Sequence, residues 1–164
     1  MRTVLALLLS VIFSIIFALF ITTFIGERAK VSGPSMKPFL KDHDQIIIDK
    51  LSYRFRDPKR FEIVAFPIRH GKKRQYYLKR IIALPGETVQ IKNGFIYLNG
   101  QKLEESYGLT PIQRSGLAKQ KKTLKKNEYF LLGDNRADSL DSRDEAVGTV
   151  LKEKMIGRLW IKIK

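Results

Sequence analysis

Two side chains of complementary chemistry stand far apart in this chain: a serine hydroxyl in Ser32-Gly33-Pro34-Ser35-Met36-Lys37-Pro38 and a lysine amine in Tyr77-Leu78-Lys79-Arg80-Ile81-Ile82-Ala83-Leu84. A serine becomes a nucleophile only when a base takes its proton, and a lysine serves as that base only when neutral. At an ordinary pKa near 10.4, about one lysine in 2,500 is neutral at pH 7, a handicap of roughly 4.6 kcal/mol. Desolvation lowers a lysine pKa by up to about 3–5 units, so an apolar setting for Lys79 is chemically useful. In an extended strand Tyr77, Lys79, Ile81 and Ala83 share one face and Leu78, Arg80 and Ile82 the other, which puts one cation among apolar side chains on each face. A lysine snorkelling from a sheet edge fits the same pattern.

Ser35 is flanked by Pro34 and, three residues on, by Pro38, which hold the backbone extended or turned and present the hydroxyl on a loop. An ordinary turn serine would look the same. The only histidines are His43, between two aspartates, and His70, in a basic loop, so neither suggests a Ser-His-Asp arrangement and Lys79 is the better base. A third polar segment, Gly133-Asp134-Asn135-Arg136-Ala137-Asp138-Ser139-Leu140-Asp141-Ser142-Arg143-Asp144-Glu145, spaces its acids somewhat like a calcium loop. It lacks the glycine at the sixth position and carries two competing arginines, so it is read as a loop braced by Asp-Arg pairs, with no metal.

The elements that must position these groups begin with an apolar run. Thr3 to Ile25 is 23 residues without a charge, Gly or Pro, and as a helix would reach roughly 34 Å, against a hydrocarbon core of about 30 Å. A cleaved signal segment would have a shorter apolar region ending in a small-x-small site, so an uncleaved anchor over residues 1–25 is expected, followed by a single folded domain over residues 26–164. Beyond the anchor, short apolar runs alternate with turn signals and no long amphipathic stripe appears. The reading is a mostly β domain with strands near Gln45–Leu51, Glu62–Phe66, Gln75–Leu84, Thr88–Lys92, Phe95–Leu98, Tyr129–Leu132 and Gly157–Ile163. Asn93-Gly94 and Asn99-Gly100 predict successive hairpin turns.

The chain has no Cys, which excludes disulfides and thiol chemistry. All 16 acids and 30 of the 31 Lys and Arg follow the anchor, so the folded part carries +14, a charge suited to an anionic surface such as lipid. Two basic runs, Arg69 to Arg74 and Lys119 to Lys126, are read as solvated loops or headgroup contacts. Arg28, Lys30, Lys37 and Lys41 after the anchor argue for a cytoplasmic domain, but long domains translocate largely regardless of charge.

Taken together, the boxes resemble the type I signal peptidases, membrane-bound Ser-Lys proteases that remove signal peptides from exported proteins. The resemblance rests on Val31 to Pro38, then Asp57-Pro58-Lys59-Arg60 followed by Ile63-Val64-Ala65-Phe66, then Tyr77 to Glu87 and the segment Gly133 to Arg143, in that order along the chain behind an anchor. It implies a signal-peptidase-like antiparallel β catalytic domain outside a bacterial cytoplasmic membrane, with a single transmembrane helix. It further implies Ser35 as nucleophile and Lys79 as general base, Ser139 hydrogen-bonding the lysine, and an Asp141–Arg143 ion pair bracing the site. Val31, Met36, Leu40, Tyr77 and Leu78 would line substrate pockets. Gly33 stands where some members carry a serine that assists the oxyanion, which leaves the second oxyanion donor open. The implied partners are signal-peptide-bearing preproteins and an anionic bilayer, with no cofactor and no nucleic acid. A non-catalytic anchored module binding anionic lipid or polymer, and a self-cleaving Ser-Lys protease of related fold, are the alternatives; the first gives Ser35, Lys79 and Ser139 no role, and the second needs a nucleic-acid-reading segment in place of the anchor.

Overall fold

A computed structural model of the chain describes residues 2–20, 25–70, 73–108 and 110–163. The N-terminal apolar run is helical over Arg2–Phe20 (α1), with its apolar side chains exposed. At about 1.5 Å per residue these 19 residues reach roughly 28 Å, just under the hydrocarbon thickness of about 30 Å. Among the described residues no helix is long and apolar enough to cross a membrane. The expected span ran on to Ile25, and residues 21–24 lie outside the described residues.

The remainder is antiparallel β, as the alternation predicts. One sheet has seven strands: β1 (Gly26–Lys30), β2 (Gln45–Asp49), β3 (Ile63–His70), β4 (Lys73–Ala83), β9 (Glu128–Leu132), β10 (Val150–Leu151) and β11 (Gly157–Ile163), in the spatial order β1-β2-β11-β3-β4-β9-β10. A smaller sheet is formed by β5 (Thr88–Lys92), β6 (Phe95–Leu98), β7 (Gln101–Lys102) and β8 (Lys122–Thr123), in the order β7-β6-β5-β8. A single helical turn, α2 (Ser52–Phe55), follows β2.

The small sheet is the part of the fold that local chemistry dictates most directly. Lys92 pairs with Phe95 across Asn93-Gly94, whose φ values of 52° and 82° fit a two-residue turn that needs the left-handed region twice. Asn99-Gly100 repeats this conformation between β6 and β7. In β5, Val89 and Ile91 face inward while Thr88, Gln90 and Lys92 face away, the period-2 signature of a strand covered on one side.

Strands β4 and β9 are covered on both sides, which explains their nearly continuous apolar runs. Ile82, Phe130 and Leu132 pack against the inner face of the small sheet, with Val89, Ile91, Ile96 and Leu98. Ile81, Tyr129 and Leu131, adjacent in sequence, turn the other way and join Val64, Phe66 and Tyr53. A third apolar group, Val31, Met36, Leu40, Ile46, Ile48, Ile63 and Ala65, fastens the β1–β2 connection to β2 and β3. Three strands, β1, β8 and β10, lie outside the sequence expectation, and β7 is the short strand that the Asn99-Gly100 turn implies. β1 is polar (Gly-Glu-Arg-Ala-Lys) and exists because it pairs with β2 from Gly26↔Asp49 to Lys30↔Gln45, whereas β7, β8 and β10 are two-residue pairings too short to carry a pattern.

Phe130 joins the two sheets and is fully buried. Phe130→Ala is expected to lower unfolding free energy by about 3–5 kcal/mol through lost transfer energy and a cavity, read from the urea midpoint at unchanged m-value.

Candidate active site

The 14-residue connection between β1 and β2 carries Ser35. Its ends are tied by Val31 N–H to the Asp44 carbonyl at 2.9 Å and His43 N–H to the Val31 carbonyl at 3.0 Å. Val31, Met36 and Leu40 then bury their side chains in the core, leaving Ser35 half-buried above them. Gly33, at φ 88°, takes a conformation that side chains other than glycine resist, and its N–H donates to Asp42 Oδ1 at 3.0 Å.

Lys79 arrives from β4, whose register with β3 sets Val64 opposite Lys79 and Ala65 opposite Leu78. The residue is 3% exposed and Nζ donates to Ser35 Oγ at 2.7 Å. Nζ also lies 5.1 Å from the Tyr77 ring centroid. Burial pulls its pKa down from 10.5 to about 8, the charges of Asp141 and Asp134 pull it up, and Arg143 pulls it down. About one molecule in ten then holds a neutral Lys79 at pH 7, a gain of two to three orders of magnitude over the ordinary amine. A hydroxyl within hydrogen-bond reach of an amine that is neutral near physiological pH is an arrangement able to generate an alkoxide-like nucleophile.

Beneath the pair runs the loop Gly133 to Asp144, which grips the Ser35 turn through its backbone. Asn135 N–H donates to the Ser35 carbonyl at 3.0 Å and Asn135 Nδ2 to the Pro34 carbonyl at 3.3 Å. Gly133 is required by close approach: a methyl there would lie 2.2 Å from Ser139 Oγ and 2.5 Å from the Ser35 carbonyl oxygen. The expected Asp141–Arg143 pair is present and fully buried, with Arg143 Nε donating to Asp141 Oδ1 at 2.8 Å and Nη2 to Oδ2 at 2.9 Å. Asp141 also accepts the Gly133 N–H at 3.1 Å, and Arg143 Nη1 caps the Arg136 carbonyl at 2.8 Å. The expected hydrogen bond from Ser139 to Lys79 is not made: Ser139 is buried at the site, wedged against Gly133, and its Oγ has no partner.

Two further pairs, one buried and one part-buried, are not legible in the sequence. Arg80, on the face of β4 opposite Lys79, holds Asp134 at 2.8 and 2.6 Å, donates to the Phe61 carbonyl at 2.8 Å and stacks 3.5 Å over the Tyr107 ring. Arg136 holds Glu105 through two bonds of 2.7 Å. The signal available in advance was the cation inside the apolar run of β4, which had to find an acid once snorkelling was blocked.

The Ser35–Lys79 pair opens into a cleft of about 590 Å³ bounded by edge strand β1, the Ser35 turn and the start of β4. Val31, Gly33, Met36, Tyr77 and Leu78 line it. Leu40 does not: it is 0% exposed and packs in the core, because the turn bends back so that its N–H reaches the Met36 carbonyl at 2.9 Å. His43 is exposed and pairs with Asp42, and the side chain of His70 lies outside the described residues.

The family profile described as signal peptidase, peptidase S26, matches residues 4–163. Among curated relatives, a probable signal peptidase I-2 of Synechocystis sp. is 40% identical over 147 residues, covering 87% of this chain and 65% of the relative. A signal peptidase I of Leptolyngbya laminosa is 36% identical over 148 residues, covering 87% and 70%. The chain thus spans about two thirds of the length of these relatives. A crystal structure of a signal peptidase I from Enterococcus faecalis V583 is similar with a TM-score of 0.53 and 34% identity, covering 64% of this chain and 98% of that one.

The buried amine should destabilise the fold in a pH-dependent way. Below pH 8 both folded and unfolded chains carry a protonated Lys79 and the full penalty of burying the charge applies; above 10.5 neither does. Lys79→Met is therefore expected to raise unfolding free energy at pH 7 by about 1–3 kcal/mol, less the lost hydrogen bond, with the advantage shrinking steadily between pH 8 and 10.5. Urea unfolding of both proteins across this range measures it.

Proposed function

This chain belongs to the signal peptidase family, peptidase S26, a family of serine endopeptidases, and from that membership we propose that it is anchored in a bacterial membrane and removes signal peptides from exported preproteins with Ser35 and Lys79 as its catalytic dyad. The observation that carries the reading is the 2.7 Å contact between Ser35 Oγ and a desolvated Lys79 amine at the floor of the cleft.

Neutral Lys79 takes the Ser35 proton as Oγ attacks the scissile carbonyl, then returns it to the leaving amine; the resulting acyl-enzyme is hydrolysed by a water that the same amine deprotonates. Developing negative charge on the carbonyl oxygen needs preorganised donors. The Ser35 N–H, which has no partner among the described residues, serves as one, whereas the Gly33 N–H is engaged by Asp42. Ser139 acts as a positioning residue for the lysine in this reading, which its buried and otherwise unpartnered hydroxyl supports. Asp141 and Arg143 neutralise each other and hold the loop on which Ser139 stands.

A substrate lying along β1 would gain main-chain hydrogen bonds from an edge strand while the apolar walls at Val31, Met36 and Leu78 accept small side chains. Residues 1–25, with the apolar run from Thr3 to Ile25, form the anchor of this proposal and residues 26–164 the catalytic domain on the extracytoplasmic side. Holding enzyme and preprotein in one membrane raises their effective concentration.

Ser35→Ala and Lys79→Ala are each expected to abolish cleavage of a detergent-solubilised preprotein while circular dichroism stays that of the parent; near-normal turnover by either variant refutes the dyad. For the parent, kcat/KM should climb about tenfold per pH unit up to pH 8, where Lys79 loses its proton, and level off above it.

A further inference from the structure

Charge is segregated in this chain on a lobe that the proposed chemistry does not use. Residues 88–103 and 106–127, which build the small sheet and its flanking segments, contain no Asp or Glu. They carry Lys92 on β5, Lys102 on β7, and then Lys119, Lys121, Lys122, Lys125 and Lys126 in the segment around β8. Every one but Lys122 is exposed, and none of the seven belongs to an ion pair among the described residues. Outside the lobe Arg56, Arg60, Arg80, Arg136, Arg143 and Arg158 are all paired with acids, as is Arg114 inside it, whereas the unpaired cations elsewhere, such as Lys41, Arg54, Lys59 and Lys154, are not gathered on an acid-free segment. Of the acids that flank the lobe, Glu87 and Glu105 are already held by Arg60 and Arg136, Glu128 accepts the Lys125 N–H at 2.9 Å, and Glu104 is a single exposed carboxylate against seven lysines.

The sheet beneath these lysines is covered on one face only. Its outer face shows Phe95, 44% exposed, with the Lys102 amine 3.8 Å over the ring, Gln90 and Lys92 on the neighbouring strand, and a Thr88–Thr123 hydroxyl pair at 2.8 Å. Four strands at about 4.8 Å spacing make this platform roughly 14 Å across, wide enough for a chain of several anionic groups. None of the residues lining the Ser35–Lys79 cleft comes from it.

A bilayer is the less suitable occupant. The exposed apolar side chains that an interface would take up, Phe55 at 81% and Trp160 at 52%, stand on α2 and β11, beside Ile25 at the end of the apolar run. The small sheet instead packs on β4 and β9, near the opposite edge of the large sheet from β1. A lysine ammonium is a compact point charge on a flexible stem that binds phosphate oxygens in any orientation, and neighbouring lysines on one face add their fields. We propose that the outer face of the small sheet and the Lys119–Lys126 segment form a docking surface for a linear polyanion with phosphates along its backbone.

The test uses the full chain in nanodiscs made of zwitterionic lipid, with long-chain inorganic polyphosphate as probe. A variant in which Lys119, Lys121, Lys125 and Lys126 are all changed to Gln is compared with a control carrying the same charge change elsewhere, at Lys41, Arg54, Lys59 and Lys154. The lobe variant should bind polyphosphate at least tenfold more weakly than the control, and its log K against log salt slope should be shallower by about 3. Preprotein cleavage should match the parent's, so that failure of this proposal and failure of the dyad are read separately. Equal losses in both variants would reduce the effect to net charge and overturn the proposal. A lobe variant that keeps its polyphosphate affinity but loses attachment to phosphatidylglycerol vesicles would overturn it in favour of a bilayer.

Discussion

A lysine can remain buried beside a serine with its pKa lowered to about 8 only if the charges around it are already cancelled, and the architecture of this protein follows from that constraint. Asp134 and Asp141 lie close enough to raise the Lys79 pKa, and either left unpaired would favour the protonated amine. Arg80 and Arg143 take up those carboxylates through bidentate contacts, so desolvation prevails and the amine is held near pH 8. Burying such pairs is expensive and seldom stabilises a fold, but losing one partner costs about 3–5 kcal/mol. The pairs are better understood as fixing the Gly133 to Asp144 loop in one conformation and fixing the field around one amine.

Strand β4 is where these demands meet. Consecutive residues on it serve opposite sides of the large sheet: Lys79 faces the Ser35 cleft and Arg80 the Asp134 pair, Ile81 one apolar cluster and Ile82 another. A slip of one residue against β3 would exchange the two cations and bury the wrong one without an acid. Register is therefore set jointly by the apolar clusters and by the ion pair, and the site inherits its geometry from both. The Ser35 turn is positioned with comparable redundancy, from below by Met36 and Leu40 in the core and from the side by Asn135.

Legibility from sequence tracks the distance over which each feature is decided. The β5–β6 hairpin was read residue for residue because Asn93-Gly94 dictates its own turn. Asp141 and Arg143 pair across two positions, close enough to suspect as a brace. By contrast, β1 has no apolar pattern and becomes a strand only through β2, and nothing local to Leu40 signals that the turn folds it inward, away from the pocket that the resemblance implies for it. Arg80 stands out as a cation in an apolar run, yet Asp134 is 54 residues away and the same loop offers several other acids as partners. The Ser139 hydroxyl was expected on Lys79, and the packing of Gly133 against it leaves that bond unmade.

What the sequence determined by itself was chemical inventory and local form: an apolar N-terminal run, a mostly β domain, two Asn-Gly turns, and three polar boxes in an order that limited the reaction class. Tertiary structure decided whether those boxes could act together. A serine on a loop and a lysine in a strand are individually ordinary, and neither hydroxyl nor amine has unusual reactivity in an extended chain exposed to water. Only the packing of β4 under the β1–β2 connection removes the water, places Nζ 2.7 Å from Oγ and brings the amine's pKa down to about 8, because desolvation and pairing depend on neighbours that the chain supplies from distant positions.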